Sequence, residues 1–324
     1  MRKFTFNLLF FMLIFAVLVV FPFDIFLRNM NSLHKEKLKG LLTYKDSIQI
    51  LILGNSHANY GVDPTQFDNY AYNLANLNQS IYFDKRLTMR YLDSLSNLRY
   101  VFINVDHHSL YTSSQGLWDI WSYYGNGIIY KDRMYLLEDV SPFLFGFKPK
   151  VSISLLKTSI CNYLQYKNYK ILNFKVEKGI NVRDSLIKGF VTFEGTNDQL
   201  FSESHYINRA NYFSELISLS DEYQEVKNDL EDFIKILLSR GIKPILFSVP
   251  QYYEYRKFID RDNLYKYNSD ISVISKKYNI EFWDYSGDSS FIKSDFYDCD
   301  HLNKTGAVKF SRILNLRLVK IENN

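Results

Sequence analysis

The stretch LILGNSHANYGVDP, residues 51–64, places a serine directly after a run of apolar residues. A serine hydroxyl is a weak nucleophile unless a neighbouring base takes its proton and a third group orients that base. A buried strand followed by a helix would hold the Ser56 oxygen at the end of the strand. The backbone N–H of Ser56 would then face a developing oxyanion. Ser56 is therefore the candidate nucleophile, and a structural serine in a polar turn is the alternative.

The candidate base lies near the other end of the chain, in DFYDCDHLNKTGAVKFSRIL, residues 295–314. Asp298 and His301 are three residues apart, and a tight turn can bring this carboxylate to Nδ1 of the imidazole. The Nε2 atom then remains free for Ser56. Asp300 is the rival orienting residue, but a direct neighbour is less able to fold back onto the same ring. Asp300 or Asn303 is predicted to cap the last helix.

Short apolar runs alternate with segments of helical spacing, and this alternation predicts an α/β fold with a parallel sheet covered on both faces. In such sheets, ligands bind beyond the carboxyl ends of the strands, where the polar clusters of this sequence lie. The predicted helices cover residues 80–95, 221–241, 263–278 and 304–321. The five predicted strands cover residues 48–53, 71–75, 99–105, 244–250 and 279–285.

Residues 4–23 form an apolar run without a charged residue, preceded by Arg2 and Lys3. About 20 apolar residues in a helix cross a ~30 Å hydrocarbon layer. No cleavage site follows, so residues 1–26 are predicted to be an uncleaved transmembrane signal anchor, with the rest outside the cytoplasmic membrane. Residues 27–46 are predicted to form a polar helical spacer. Residues 47–324 read as the catalytic domain, with an irregular, aromatic-rich insertion at about 112–220.

Composition excludes some function classes. The net charge is +4 and no run of Lys and Arg resembles a nucleic-acid-binding arm, so no nucleic-acid partner is predicted. The two cysteines, Cys161 and Cys299, are predicted to be free thiols. A metal site built from His57, His107 and His301 would lack any known ligand spacing, so neither metal nor cofactor is expected.

These motifs resemble those of the SGNH/GDSL hydrolase superfamily. GNSH, residues 54–57, stands where the family has its G-D-S motif, and DCDH followed by LNKTGAVKF is similar to its closing D-x-x-H block. The resemblance covers roughly residues 48–110 and 221–320. It implies a three-layer, flavodoxin-like fold and ester or acyl-transfer chemistry without a cofactor. Ser56 would be the nucleophile, His301 the base and Asp298 the orienting residue.

Two blocks depart from the family pattern. Asn78 stands at the position of the family's oxyanion-hole glycine, where its backbone N–H can still donate. Asp106 stands at the position of the oxyanion asparagine, and an ionised carboxylate cannot donate a hydrogen bond. A neighbour such as His107 would have to donate instead, or the oxyanion hole, with Ser56 N–H as its other donor, would be weak.

With its predicted anchor and these two departures, the sequence resembles a membrane-anchored subgroup of the family, which includes the alginate O-acetylation proteins and the D-alanyl transfer protein of teichoic acid. That resemblance implies an acyl group, such as O-acetyl, on a cell-envelope polysaccharide, and partners among the membrane proteins of a polymer-modification system. The alternative is an SGNH-like binding or scaffolding module with little activity. His57 can touch substrate or cap a helix, and adjacent His107 and His108 point in opposite directions if the strand continues. Aromatic residues of the insertion can stack on sugars, but a core role is more common: Trp118, Trp121, Tyr123, Tyr124 and Tyr130.

Overall fold

Within the described part of the chain, five parallel strands form one sheet: Ile50–Leu53 (β1), Ala71–Asn73 (β2), Tyr100–Asn104 (β3), Lys243–Ser248 (β4) and Glu281–Asp284 (β5). They lie in the order β2-β1-β3-β4-β5. This arrangement confirms the predicted α/β class and the number of strands. The strands contain mostly buried apolar side chains, as a sheet covered on both faces requires.

Helices connect the strands and cover the sheet. The computed structural model describes residues 2–15, 17–18, 33–113, 123, 128 and 186–323. The helices within these ranges are Arg2–Phe15 (α1), Leu33–Tyr44 (α2), Ser56–Gly61 (α3), Ile81–Tyr91 (α4), Glu203–Leu219 (α5), Tyr223–Ser239 (α6), Tyr253–Arg256 (α7), Arg261–Tyr278 (α8) and Lys304–Glu322 (α9).

The chain divides into two compact units, residues 1–36 with 116–176 and residues 37–115 with 177–324. The second unit contains the whole sheet and every element that positions the predicted site. On one face of this sheet, Ile52 and Phe102 belong to one buried cluster with Phe310 of α9. The helical spacing of α6 places Val226, Leu230, Phe233 and Leu237 on one face, and all four are buried together with Ile234, whereas Leu238 is 39% exposed.

The sheet order explains where the polar clusters meet. From β1 the chain moves to β2 on one side, and it then returns to β3 on the other side of β1. Such a reversal opens a crevice at the carboxyl ends of the two strands, which is the usual ligand site of this sheet type. Ser56 follows β1 and Asp106 follows β3, so both lie at this crevice.

Helix α2 is more than the polar spacer predicted over residues 27–46. The side chains of Lys37, Leu38 and Leu41 are buried in the second unit. The Lys37 amine donates a hydrogen bond to Asn59 Oδ1 at 2.6 Å. Burial favours the neutral amine and holds the pKa of Lys37 well below its ordinary value. The lysines of α2 led to the prediction of a solvent-exposed segment, but the Lys37 side chain is buried.

Helix α5 occupies part of the region predicted to be irregular, residues 112–220. Its buried positions are spaced by three and four residues, as a helix packed on one side requires. Many polar residues separate these positions, and this hid the pattern in the sequence. Most of the remaining insertion, including Cys161 and four of the five aromatic residues named for it, lies outside the described residues. The fifth, Tyr123, is buried.

Within the part of the chain that the structure describes, no helix has the length and apolar character needed to cross a membrane. Helix α1 covers the described residues Arg2–Phe15. The apolar run of residues 4–23 continues into residues that lie outside the described ranges, apart from residues 17 and 18.

Candidate active site

The turn between β1 and α3 presents Ser56 at the carboxyl edge of the sheet. Gly54 has a φ of +132°, and a Cβ atom there would lie 2.4 Å from Cβ of Asn104 in β3. Only glycine fits this close approach without strain. The Asn55 side chain caps α3 by accepting a hydrogen bond from the N–H of His57 at 2.9 Å. The half-buried Ser56 is the first residue of the helix.

The loop before α9 fixes the base and its orienting residue together. Oδ1 of Asp298 accepts hydrogen bonds from the N–H groups of Asp300 at 3.0 Å and His301 at 2.8 Å. The Asn303 amide donates to the Phe296 carbonyl at 3.1 Å and so closes the loop. Asn303 also caps α9, as predicted for it. The sequence therefore folds the carboxylate of Asp298 back towards the His301 ring.

The structure brings the three predicted triad residues together. Nε2 of His301 lies 2.9 Å from Oγ of Ser56. Nδ1 of His301 lies 3.0 Å from both carboxylate oxygens of Asp298. The rival Asp300 has an oxygen 3.3 Å from the same nitrogen. This is the nucleophile–base–carboxylate geometry of a serine hydrolase, with Asp298 nearer to the ring than Asp300.

The carboxylates hold a proton on His301. Burial favours the neutral ring, but the charges of Asp298 and Asp300 outweigh it and raise the pKa of His301 to about 10. Because of this raised pKa, His301 is charged at neutral pH and becomes a base as the pH rises. Aromatic side chains also line the ring, with the ring centroids of Tyr60 and Phe193 at 5.7 Å and 6.2 Å from that of His301.

A second buried network lies beside the triad and centres on His57. Its Nδ1 lies 2.9 Å from Asp106 and its Nε2 lies 3.2 Å from Asp300. Burial opposes protonation of this ring, but the two carboxylates raise the pKa of His57 above its ordinary value. His57 therefore performs neither predicted role, because it is 1% exposed and Asn55 supplies the cap.

Asp106 is a counter-charge in this network. Its carboxylate accepts hydrogen bonds from the side-chain amides of Asn55 at 2.9 Å and Asn104 at 3.3 Å, and it pairs with His57. Burial opposes ionisation, but the charge and hydrogen bond of His57 hold the pKa of Asp106 below its usual range. An ionised carboxylate donates no hydrogen bond, so this geometry does not support the oxyanion role predicted for Asp106.

Asp300 does not cap α9, contrary to one of its two predicted roles. Its Oδ2 accepts a hydrogen bond from Nε of Arg209 at 2.7 Å and also faces His57. Nothing in the sequence singled out Arg209, because it lies in α5 within the region predicted to be irregular. Phe193, which also comes from that region, was missed for the same reason.

The remaining oxyanion candidates are backbone and side-chain donors. Asn78 has a φ of +51°, a left-handed backbone conformation that favours glycine. Among the described residues, the N–H groups of Ser56 and Asn78 have no hydrogen-bond partner. Burial lowers the pKa of His107 to about 4, so this ring is neutral and can donate one hydrogen bond. The oxyanion roles remain predictions.

The rings of His107 and His108 do not point in opposite directions. The strand β3 ends at Asn104, and both rings contact Phe213 of α5, at centroid distances of 5.4 Å and 4.0 Å. Burial holds the pKa of His108 well below its ordinary value. Both histidines are therefore neutral rings packed against Phe213 of α5.

Among the residues that the structure describes, two groups of side chains have the spacing of metal ligands. One is His57, Asp300 and His301, and the other is Asp298, Cys299 and Asp300. The first group is already paired, and the Arg209 guanidinium occupies the Asp300 oxygen that a cation would need. Burial raises the pKa of the Cys299 thiol, which opposes the thiolate form that binds metals. The donor sets therefore favour ion pairing over a metal.

The comparisons with known proteins do not assign a family. No protein family and no curated protein matches the sequence. A solved structure from Bacteroides fragilis NCTC 9343, provisionally named an acylhydrolase, shares 11% identity at a TM-score of 0.39, covering 84% of this chain and 87% of that chain. A second, from Streptococcus pneumonia and provisionally named a platelet activating factor, shares 15% identity at a TM-score of 0.39, covering 88% of this chain and 94% of that chain.

Proposed function

We propose that this protein is a serine-dependent ester hydrolase or O-acyltransferase with Ser56 as its nucleophile. The observation that carries the proposal is the continuous chain of contacts from Ser56 Oγ through His301 to Asp298, at 2.9 Å and 3.0 Å. Ser56 and His301 come from opposite ends of the unit, so chain proximity does not explain their contact. A serine that bonds to an oriented imidazole is the defining arrangement for nucleophilic catalysis.

In the first step, Oγ of Ser56 attacks the carbonyl carbon of an ester, and its proton passes to Nε2 of His301. Asp298 stabilises the imidazolium that results. The tetrahedral intermediate then collapses, and the leaving alcohol takes the proton from His301. An acyl group remains on Ser56.

In the second step, water or a sugar hydroxyl attacks the acyl-enzyme and gives its proton to His301. The bond between the acyl carbon and Ser56 breaks, and the proton returns to Oγ of Ser56. Water as the acceptor releases a carboxylic acid, and a sugar hydroxyl gives a new ester. The same residues serve both outcomes, and the acceptor decides between hydrolase and transferase.

We further propose that the acyl group belongs to a cell-envelope polysaccharide and that the chain is anchored to the cytoplasmic membrane with its sheet outside. Support comes from the apolar run of residues 4–23 and from the resemblance of GNSH and DCDH to the corresponding motifs of anchored relatives. Digestion of intact spheroplasts with a protease tests the orientation. Loss of the chain from intact spheroplasts is expected, and protection until lysis would contradict the placement.

A fluorophosphonate probe tests the nucleophile. The full-length chain in mild detergent is treated with the probe, and covalent labelling is followed by intact mass. Labelling is expected in the wild type and in Ser239→Ala, a matched control at an exposed serine at the end of α6. Ser56→Ala is expected to abolish it, and retained labelling of a folded Ser56→Ala chain would refute the assignment.

The second candidate function is a binding or scaffolding module in envelope polymer assembly. The replacement of the family's oxyanion asparagine by Asp106 favours it, because one oxyanion donor is worth about 10²–10³ in rate. The absence of labelling in a wild-type chain shown to be folded by circular dichroism would support this candidate over the enzyme.

A further inference from the structure

The Asp300 carboxylate lies at the centre of a buried charge network that the proposed reaction does not use directly. Its Oδ2 accepts a hydrogen bond from Arg209 at 2.7 Å and faces Nε2 of His57 at 3.2 Å. Its Oδ1 lies 3.3 Å from Nδ1 of His301. The side chain is 2% exposed. One buried carboxylate is therefore shared by three nitrogen groups, of which one is the proposed base.

Such a charge changes what the base can do. An opposite charge within about 4–6 Å favours a protonated imidazole and raises its pKa by about 1–3. Asp298 already orients the His301 ring, so the Asp300 charge is an additional stabilisation of its protonated form. Asp300 also touches the edge of the ring that does not face Ser56, and so restricts its rotation.

We infer that Asp300 is a positioning residue, which holds the His301 ring towards Ser56 and sets the pH at which that ring accepts the serine proton. The inference rests on the proposed function, because it assigns Asp300 a part in the same site. Arg209 and His57 act on His301 through Asp300, since each compensates part of the Asp300 charge.

The charged and titratable groups around Asp300 come from several elements. Helix α5 contributes Arg209, and α3 contributes His57, which is compensated in turn by Asp106. The Asp300 charge in turn raises the pKa of the buried Tyr255 hydroxyl in α7. It also favours protonation of the His107 ring, which burial keeps neutral. Its own loop contributes Asp298, Cys299 and His301. Arg209 and His57 are the positive partners among these groups, so their removal and the removal of Asp300 should act on His301 in opposite directions.

The first test measures the protonation of His301 without any substrate. The imidazole nitrogens of the full-length chain in detergent are titrated by NMR, and His301→Gln identifies the signal. Asp300→Asn is expected to lower the His301 midpoint by about 1–3 on the pH scale. Arg209→Gln is expected to raise it. Arg240→Gln, which removes an exposed ion pair with Asp93 just before β4, is the matched control and is expected to leave it unchanged.

The second test measures the rate of fluorophosphonate labelling of Ser56 against pH. Asp300→Asn is expected to move the rising limb to lower pH and to lower the plateau, because the ring is less well oriented. A merely structural role would lower the rate without moving the limb. At pH values far below both midpoints, lowering the midpoint by one on the pH scale increases the neutral fraction of His301 about tenfold.

The labelling assay and the NMR titration together distinguish a failure of the proposed function from a failure of the role proposed for Asp300. Failure of the wild type to label would refute the proposed function, while the NMR titration would still decide the role of Asp300. An unmoved His301 midpoint in Asp300→Asn, or shifts of the same sign in Asp300→Asn and Arg209→Gln, would overturn the inference. Should Asp300→Asn fail to fold, Arg209→Gln decides, since that side chain is 28% exposed.

Discussion

Replacement of Gly54 by alanine tests whether the close approach of β1 and β3 positions Ser56. A Cβ atom at Gly54 would lie 2.4 Å from Cβ of Asn104, and the φ of +132° is one that side chains rarely adopt. The strained backbone costs about 1–3 kcal/mol. The forced separation of packed atoms costs about 1–3 kcal/mol more. The two together predict a loss of about 2–6 kcal/mol in the free energy of unfolding.

Gly241→Ala provides a matched control. Gly241 also has a positive φ, of +72°, but nothing lies within 4 Å of the position its Cβ would take. Its expected cost is the backbone strain alone, about 1–2 kcal/mol. Both substitutions restrict the unfolded chain in the same way, so that effect cancels from the comparison. The difference between the two variants therefore reports the contact with Asn104 together with the excess backbone strain at the φ of +132°.

Thermal and urea unfolding of the full-length chain in detergent, followed by circular dichroism, measures both variants. At about 2–4 °C per kcal/mol, Gly54→Ala should unfold at a temperature clearly below that of Gly241→Ala. The labelling rate of Ser56 should fall in Gly54→Ala even at temperatures where the chain is folded, because the turn must shift. Equal stability of the two variants would refute the claim that the Gly54 contact restricts this turn.

Three other predictions concern charge. Labelling of Ser56 should rise with pH up to about 10, because only the neutral form of His301 accepts the serine proton; a profile that is already flat at pH 7 would contradict this. Asp298→Asn should lower the labelling rate by about 10⁴-fold and more than Asp300→Asn does, and the reverse ranking would show that Asp300 is the orienting residue. Burial raises the pKa of Asp84 to about 8, although Gln79 and the N–H of Gly54 donate hydrogen bonds to it. The folded state therefore keeps a proton that the unfolded state loses, so this carboxyl lowers stability as the pH rises from about 4 to 8. In melting-temperature measurements, Asp84→Asn should make the slope against pH less negative over this range, whereas the exposed Asp93→Asn should leave the slope unchanged.

The sequence predicted the sheet well because each strand is a short apolar run followed by turn residues. It also brought out Ser56, Asp298 and His301, because their residue types follow strands or precede the last helix in a known order. The structure then placed these three within hydrogen-bond distance. Local patterns were sufficient for these features.

Local sequence patterns could not predict the buried charge network around His57 and Asp300. Arg209 lies far in sequence from both Asp300 and His57, and no spacing rule links an arginine of α5 to the loop before α9. The role of Asp106 was equally hidden, because its partners become neighbours only when β1 and β3 pair. Charge pairs of this kind depend on tertiary packing, which a single sequence does not display.

The loop of residues 295–303 has a consequence for how this site changes over evolution. Asp298 and His301 owe their mutual geometry to hydrogen bonds inside that loop, whereas the serine belongs to a distant turn. Asn303 of this loop also caps α9 and so contributes to folding. Selection for folding alone would therefore preserve the loop. A descendant could lose its chemistry through one substitution at Ser56 and keep the loop intact. Across divergent copies, the loop would therefore record ancestry, and the serine would record whether the reaction has been retained.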